Sequence, residues 1–281
     1  MAISKFIPEI WAASILEALE KQLVFLNLVN RDYEGEIQNA GDTVHITGIN
    51  DISVGDYIAN TDITIEQATD KEAATLKIDQ AKYFAFELDD VSKAQALPDL
   101  AGKLQNSAGR ALAYKAESYL AGIMKDNVAN GNKLKAVTTT TPDAAYETLV
   151  DLGTVLSDNS VPADRWVTVT PSFYGLLLKD PRFVKASESA YNTLRTGQVG
   201  QAAGFTVYQS TFLPTAGSKA TIIAGSNQAT TFAQQLAKVE AARKEKGFGD
   251  IVKGLHLYGA KVVRPEALAT VDFTIGTNPG A

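Results

Sequence analysis

The amino-acid sequence predicts an α+β fold, and three observations carry that prediction. First, hydropathy alternates with period two at Thr75-Leu76-Lys77-Ile78-Asp79 and at Phe84-Ala85-Phe86-Glu87-Leu88, the pattern of strands with one buried face. Second, Leu97, Leu100, Leu104, Ala108, Leu112, Ala116, Tyr119 and Ile123 recur at spacings of three and four, so one long helix is expected over 97–127. Third, helix and strand signals alternate from 138 to 224, and the tail returns to strand at 254–258, 261–263 and 271–275.

Taken in order, Pro8-Glu9 opens a helix whose Trp11, Ile15, Leu19 and Leu23 form one apolar stripe in need of a partner surface. A turn at Asn39-Ala40-Gly41-Asp42 precedes a strand containing Val44 and Ile46. Residues 48–73 then mix Asp, Asn, Thr and Gly with short β-branched pieces and hold too few apolar residues for a core. They read as a long hairpin projecting from a body, and a loop of that length is usually functional. The helix over 97–127 contains Gly102, Gly109 and Gly122, each costing up to about 1 kcal/mol against Ala, tolerable where another backbone packs closely. Thr141-Pro142-Asp143 and Thr170-Pro171 read as helix starts flanking the strand Trp166-Val167-Thr168-Val169, and strands follow at 205–208 and 221–224. The run 237–246 alternates Lys, Glu and Arg with Ala and reads as an exposed helix face whose charges largely cancel.

Composition narrows the function. The 281 residues, with 45% hydrophobic and 21% charged side chains, allow one large domain or two interleaved ones. No stretch approaches the roughly 20 apolar residues needed to cross a bilayer and no secretory leader is evident, so neither a membrane nor a secreted location is expected. The chain has no cysteine, hence neither disulfides nor thiolate metal sites. Its two histidines, His45 and His256, both read as polar-face residues of strands, leaving little material for general-base or metal chemistry. Gly247-Phe248-Gly249 reads as a turn and lacks the third glycine of a nucleotide fingerprint; phosphate-loop, nucleophile-elbow and two-histidine motifs are missing. No catalytic, cofactor or metal site is expected. A net charge of −6 lacks the basic footprint of a sequence-specific DNA binder, so any DNA contact is expected to be local and non-specific.

Several segments, in this order, resemble the major capsid proteins of tailed bacteriophages. They are Phe6-Ile7-Pro8-Glu9-Ile10-Trp11 leading to Gly41-Asp42-Thr43-Val44; Tyr83 to Asp90 running into a long helix; Arg165 to Pro171; Gly197-Gln198-Val199-Gly200 before Gly204-Phe205-Thr206-Val207-Tyr208; and Tyr258 to Glu266. The resemblance covers nearly the whole chain and implies the Hong Kong 97-like fold. On that basis residues 1–47 form an N-terminal arm and the start of a peripheral domain, 48–73 an extended loop, and 74–137 the peripheral domain with its spine helix. Residues 138–246 form an axial domain, and 247–281 return to the peripheral domain.

The same resemblance implies a shell of pentamers and hexamers around double-stranded DNA, with scaffolding protein, portal and minor head proteins as partners and the virion as location. Inter-subunit contact is expected from Val54, Tyr57, Ile58, Ile63 and Ile65 in the extended loop and from Trp11, Ile15 and Leu19 in the arm. Some relatives join subunits through a loop lysine, but Lys71 reads more simply as a surface charge and no cross-link is expected. The alternatives are an encapsulin-type compartment shell sharing the fold and, from another class, a cofactor-free α/β enzyme built on 138–224.

Overall fold

The computed structural model describes residues 24–33, 43–49, 70–89, 100–139, 141–180, 200–244 and 248–275. In chain order the strands are β1 (Thr43–Ile49), β2 (Asp70–Lys77), β3 (Gln80–Asp89), β4 (Lys133–Thr139), β5 (Arg165–Val169), β6 (Gln201–Ala202), β7 (Phe205–Gln209), β8 (Thr215–Ala216), β9 (Lys219–Gly225), β10 (Thr230–Arg243), β11 (Gly249–Val262) and β12 (Leu268–Ile275). The helices are α1 (Leu100–Asp126), α2 (Pro142–Asp158) and α3 (Pro171–Leu178), and a short 3₁₀ turn spans Phe25–Leu28.

The larger sheet has the order β4-β12-β9-β5-β7-β6, with β8 added beside β9. Its β12–β4 and β5–β7 pairs are parallel, while β9 runs antiparallel to both β12 and β5. Strand β5 is covered on both faces, which is why it reads Trp-Val-Thr-Val without alternation. Its buried polar member, Thr168, donates to the Ile223 carbonyl at 3.0 Å. Leu149, Leu152 and Leu156 of α2 and Phe173 of α3 are fully buried against this sheet, and the Phe173 and Phe273 rings meet edge to face at 4.9 Å. Thr170 caps α3 by accepting from the Phe173 amide at 3.2 Å. Thr141 occupies the cap position of α2 without a side-chain bond, and Pro142 at the first helical position sets that helix's start.

The smaller sheet has the order β10-β11-β3, antiparallel throughout. Period-two alternation along β11 sends Val252, Gly254, His256, Tyr258 and Ala260 to one face and Leu255, Leu257 and Gly259 to the other. The first face packs on α1, where the Tyr119 and Tyr258 rings cross at 5.4 Å. The second packs on the hairpin formed by β1 and β2, through Ile46, Leu76, Ile78, Ala233 and Leu257.

Helix α1 has 27 residues and is about 40 Å long at about 1.5 Å per residue; residues 97–99, expected to begin it, lie outside the described residues, as do 1–23. Its buried stripe is wider than the expected one, adding Ala113, Glu117, Leu120, Ala121 and Met124 to Ala108, Leu112 and Ala116. The expectation that a backbone packs against Gly122 is corrected: a Cβ there would meet nothing within 4 Å. Gly122→Ala is therefore expected to raise subunit stability by about 0.5–1 kcal/mol, read as a higher denaturation midpoint, because it adds only helix preference.

Two further expectations are corrected. Within the run 237–246, residues 237–243 are strand and not helix: β10 extends to Arg243, because pairing with β11 overrides the helix preference of Ala, Lys, Glu and Arg. The expected residue ranges also cut across the sheets. Strand β10, placed with 138–246, belongs to the smaller sheet, and β12, placed with 247–281, lies inside the larger one between β4 and β9.

Candidate assembly interface

Strands β1 and β2 pair antiparallel from Thr43↔Lys77 to Ile49↔Asp70, with a register shift between Ile46 and Gly48. Ile49 and Asp70, the residues on either side of 50–69, are therefore paired with each other, and the two ends of the expected loop, including Lys71, lie within paired strands. Val54, Tyr57, Ile58, Ile63 and Ile65 fall outside the described residues, as do Trp11, Ile15 and Leu19.

The footing of this hairpin is a small core of its own. Leu76 is fully buried, with Ile78 and Leu257 nearly so, and each contributes about 1.5–3 kcal/mol of burial. Gly259 makes the fit possible: a Cβ at this position of β11 would overlap the Lys77 carbonyl. This glycine serves close approach of backbone to backbone rather than an unusual φ.

Beyond the footing, no described residue covers the same face of the sheet. Tyr83, Ala85, Glu240, Lys253, Gly254 and Leu255 line a groove of about 380 Å³. Tyr83 is 80% exposed and Phe248, in the turn between β10 and β11, is 79% exposed. The turn is closed by the Lys244 amide donating to the Gly249 carbonyl at 3.0 Å. Charge pairs Lys253–Glu240 (2.9 Å), Lys244–Glu87 (2.7 Å) and Arg243–Asp250 (3.3 Å) tie the three strands side by side. These exposed pairs add at most about 1 kcal/mol each and serve chiefly to fix register. A large exposed aromatic such as Tyr83 on a strand-built groove is the feature expected of a face that meets another protein.

Two buried titratable groups lie on the opposite side, against α1. His256 was expected on a polar strand face; it is instead fully buried, with Nε2 3.2 Å from Gln234 Oε1, and burial lowers its pKa to about 4. It is neutral at physiological pH and sits among rings, 4.9 Å from that of Tyr258, without the exposure a base or ligand needs. Sequence reading missed Glu117 altogether. Its Oε1 accepts from the amides of Phe25 at 2.8 Å and Leu26 at 3.4 Å, joining the 3₁₀ turn to α1. Burial raises its pKa to about 7, partly opposed by hydrogen bonds from the backbone at Phe25, Leu26 and Val24. The available signal was its place in the row Ala113, Glu117, Ala121, whose small neighbours leave room for another chain segment.

Among the described residues no group of three or more His, Asp or Glu is placed to hold a metal ion, and no helix is long and apolar enough to cross a membrane. What the geometry offers is surfaces: the paired strands β1 and β2, a sheet face carrying the exposed Tyr83, and the segment 24–29 docked on α1.

Comparison with known proteins gives those surfaces a setting. A family described as phage capsid protein matches residues 71–271. A solved chain from Mycobacterium phage Che8 is 29% identical, with 90% of this chain and 91% of that one covered at a TM-score of 0.73. The capsid structure of the cyanophage P-SCSP1u shares the fold at 16% identity and a TM-score of 0.71, covering 91% and 89%. The SrpI encapsulin complex of Synechococcus elongatus PCC 7942 shares it less closely, at 14% identity and a TM-score of 0.54, covering 90% and 88%. No curated protein sequence matches. Since the family spans well over half of the chain, including both sheets and α1, the chain belongs to the phage capsid protein family and is a major capsid protein with the Hong Kong 97-like fold.

Proposed function

We propose that this subunit assembles as pentamers and hexamers into the icosahedral head shell of a tailed phage, enclosing its double-stranded DNA. The observation that carries the reading is the family match across residues 71–271, in a fold where Ile49 and Asp70, on either side of 50–69, are paired in β1 and β2. Residues 48–73 hold too few apolar residues for a core of their own, which suits contact with a neighbour. Val54, Tyr57, Ile58, Ile63 and Ile65 are the proposed contact points of that loop, and Trp11, Ile15 and Leu19 those of the arm.

Scaffolding protein, portal and minor head proteins are the proposed partners, with assembly in the bacterial cytoplasm. Contact with DNA is non-specific, because a chain of net charge −6 offers phosphates only local basic patches. The protein acts by assembly and not by catalysis. The encapsulin likeness, at 14% identity, conveys the shared fold and no more.

Electron microscopy of purified protein, alone and co-expressed with scaffold and portal, tests the reading. Closed shells containing pentamers and hexamers are expected. Monomers under every condition would overturn it, and uniformly small shells filled with a cellular enzyme would favour a compartment.

A further inference from the structure

Residues 24–29 lead out of the first 23 residues and are held against the body at two places. At one, Asn30 exchanges backbone bonds with β10, donating to the Thr230 carbonyl and accepting from the Phe232 amide, each at 2.9 Å. At the other, Phe25, Leu26 and Leu28 are buried, and the Phe25 and Leu26 amides converge on one oxygen of Glu117, more than 90 residues away in sequence. Its other oxygen, Oε2, is buried with no hydrogen-bond partner among the described residues. This asymmetry suits a neutral carboxyl, whose carbonyl oxygen takes both amides while the other oxygen carries the proton. An ionised carboxylate would leave much of its charge on an unpartnered buried atom.

We propose that Glu117 is a proton-operated latch: residues 24–29 dock on α1 as the Glu117 carboxyl takes up a proton, and their hold weakens as it ionises. Among the described residues no cation compensates the docked carboxyl. The 3₁₀ turn contributes Phe, Leu, Asn and Leu. Strand β11 turns His256 and Tyr258 toward α1, both uncharged. Strand β3 turns Phe84 and Phe86 the same way, with Lys82 beside His256 in register; Asp79, preceding β3, is engaged by the Tyr119 hydroxyl at 2.9 Å. From β9, Thr221 is bonded to Asp272 at 2.7 Å. On α1 itself the flanking positions are Ala113, Tyr114, Leu120 and Ala121. The forces on the Glu117 carboxyl are accordingly burial, acting upward, and backbone hydrogen bonds from 24–26, acting downward.

The sign follows by linkage. A carboxyl with a pKa of about 7 when docked and the ordinary 4.5 when released favours docking fully below the released value, and loses that advantage as pH rises toward 7. The docking equilibrium is expected to weaken about tenfold between pH 6 and pH 8. Glu117→Gln keeps an oxygen for both amides and removes the titration, so its docking is independent of pH.

The test is hydrogen exchange at the Phe25 and Leu26 amides of the full chain, corrected for intrinsic rates. Protection should fall about tenfold from pH 6 to pH 8 in the native protein and stay level in Glu117→Gln. A level profile in the native protein, or an equal fall in the variant, would overturn the latch. So would an equal fall at Leu149 and Leu152 of α2, which would mean that the whole fold responds. Should the variant not fold, carbon-13 titration of the native Glu117 carboxyl decides, with a midpoint near 7 expected and one near 4.5 fatal. The latch is a property of the single subunit, so its failure leaves the shell assignment standing.

Discussion

A chain from which residues 50–66 are removed, with the ends joined by a few glycines, is expected to fold and stay soluble yet form no shells. Folding survives because the deletion lies beyond the footing: Ile49 and Asp70 are already paired, so a short linker closes the gap, and Leu76, Ile78 and Leu257 remain buried. A shorter connection also costs less closure entropy. Assembly fails because the deletion removes Val54, Tyr57, Ile58, Ile63 and Ile65, the proposed contacts on the neighbouring subunit. Each large apolar side chain buried there contributes about 1.5–3 kcal/mol, multiplied over every subunit in the shell. Circular dichroism and sedimentation check the first half, and electron microscopy with scaffold and portal checks the second. Normal particles from the deleted chain would remove the loop from its proposed role as an inter-subunit clamp.

The second large effect is expected at Gly259. Replacing it with valine drives a β carbon and its two methyl groups toward the Lys77 carbonyl, where even a single Cβ overlaps. Relief requires backbone movement, because the obstacle is backbone and the strand is fixed by partners on both sides: Ala233 opposes Gly259, and Tyr258 pairs with Gln80. Overpacking of this kind costs about 3 kcal/mol or more. Gly259→Val is therefore expected to lower the chemical denaturation midpoint sharply, or to loosen the β1–β2 hairpin as read by faster exchange at Leu76 and Ile78. Gly259→Ala should show the same change in smaller measure. An unchanged midpoint with unchanged exchange would mean that the corner between β2 and β3 does not rest on this glycine.

Legibility in the sequence tracked how local each signal was. The alternation at Tyr83 to Leu88 announced β3 because its inward and outward faces meet different surroundings. The 3.6-residue rhythm announced α1 for the same reason. Strand β4 was missed because its partner is β12, paired in parallel more than 130 residues later, and nothing nearby marks Lys133–Thr139 as extended. Strand β10 was misread because its residues favour helices in isolation, and some of the charges that tie it in place, such as Glu87, which Lys244 reaches across β11, arrive from distant parts of the chain. Glu117 was invisible for a related reason: a glutamate in a lysine- and arginine-containing helix reads as solvated until another segment is seen to cover it. The surfaces proposed for assembly are less legible still, since a contact between copies leaves no periodicity in one chain.

The path of the chain between the sheets has a consequence for how the subunit holds its shape. It passes from the smaller sheet to the larger through α1, returns between β9 and β10, and crosses again between β11 and β12. One apolar cluster runs through both sheets, uniting Phe232, Tyr258 and Val262 with Ile222, Val271 and Phe273. Neither sheet can melt without stripping the other of its packing, and three crossings act like rivets against shear. The body therefore behaves as one cooperative plate, which enters a closed surface as a single unit rather than as two sheets that bend independently.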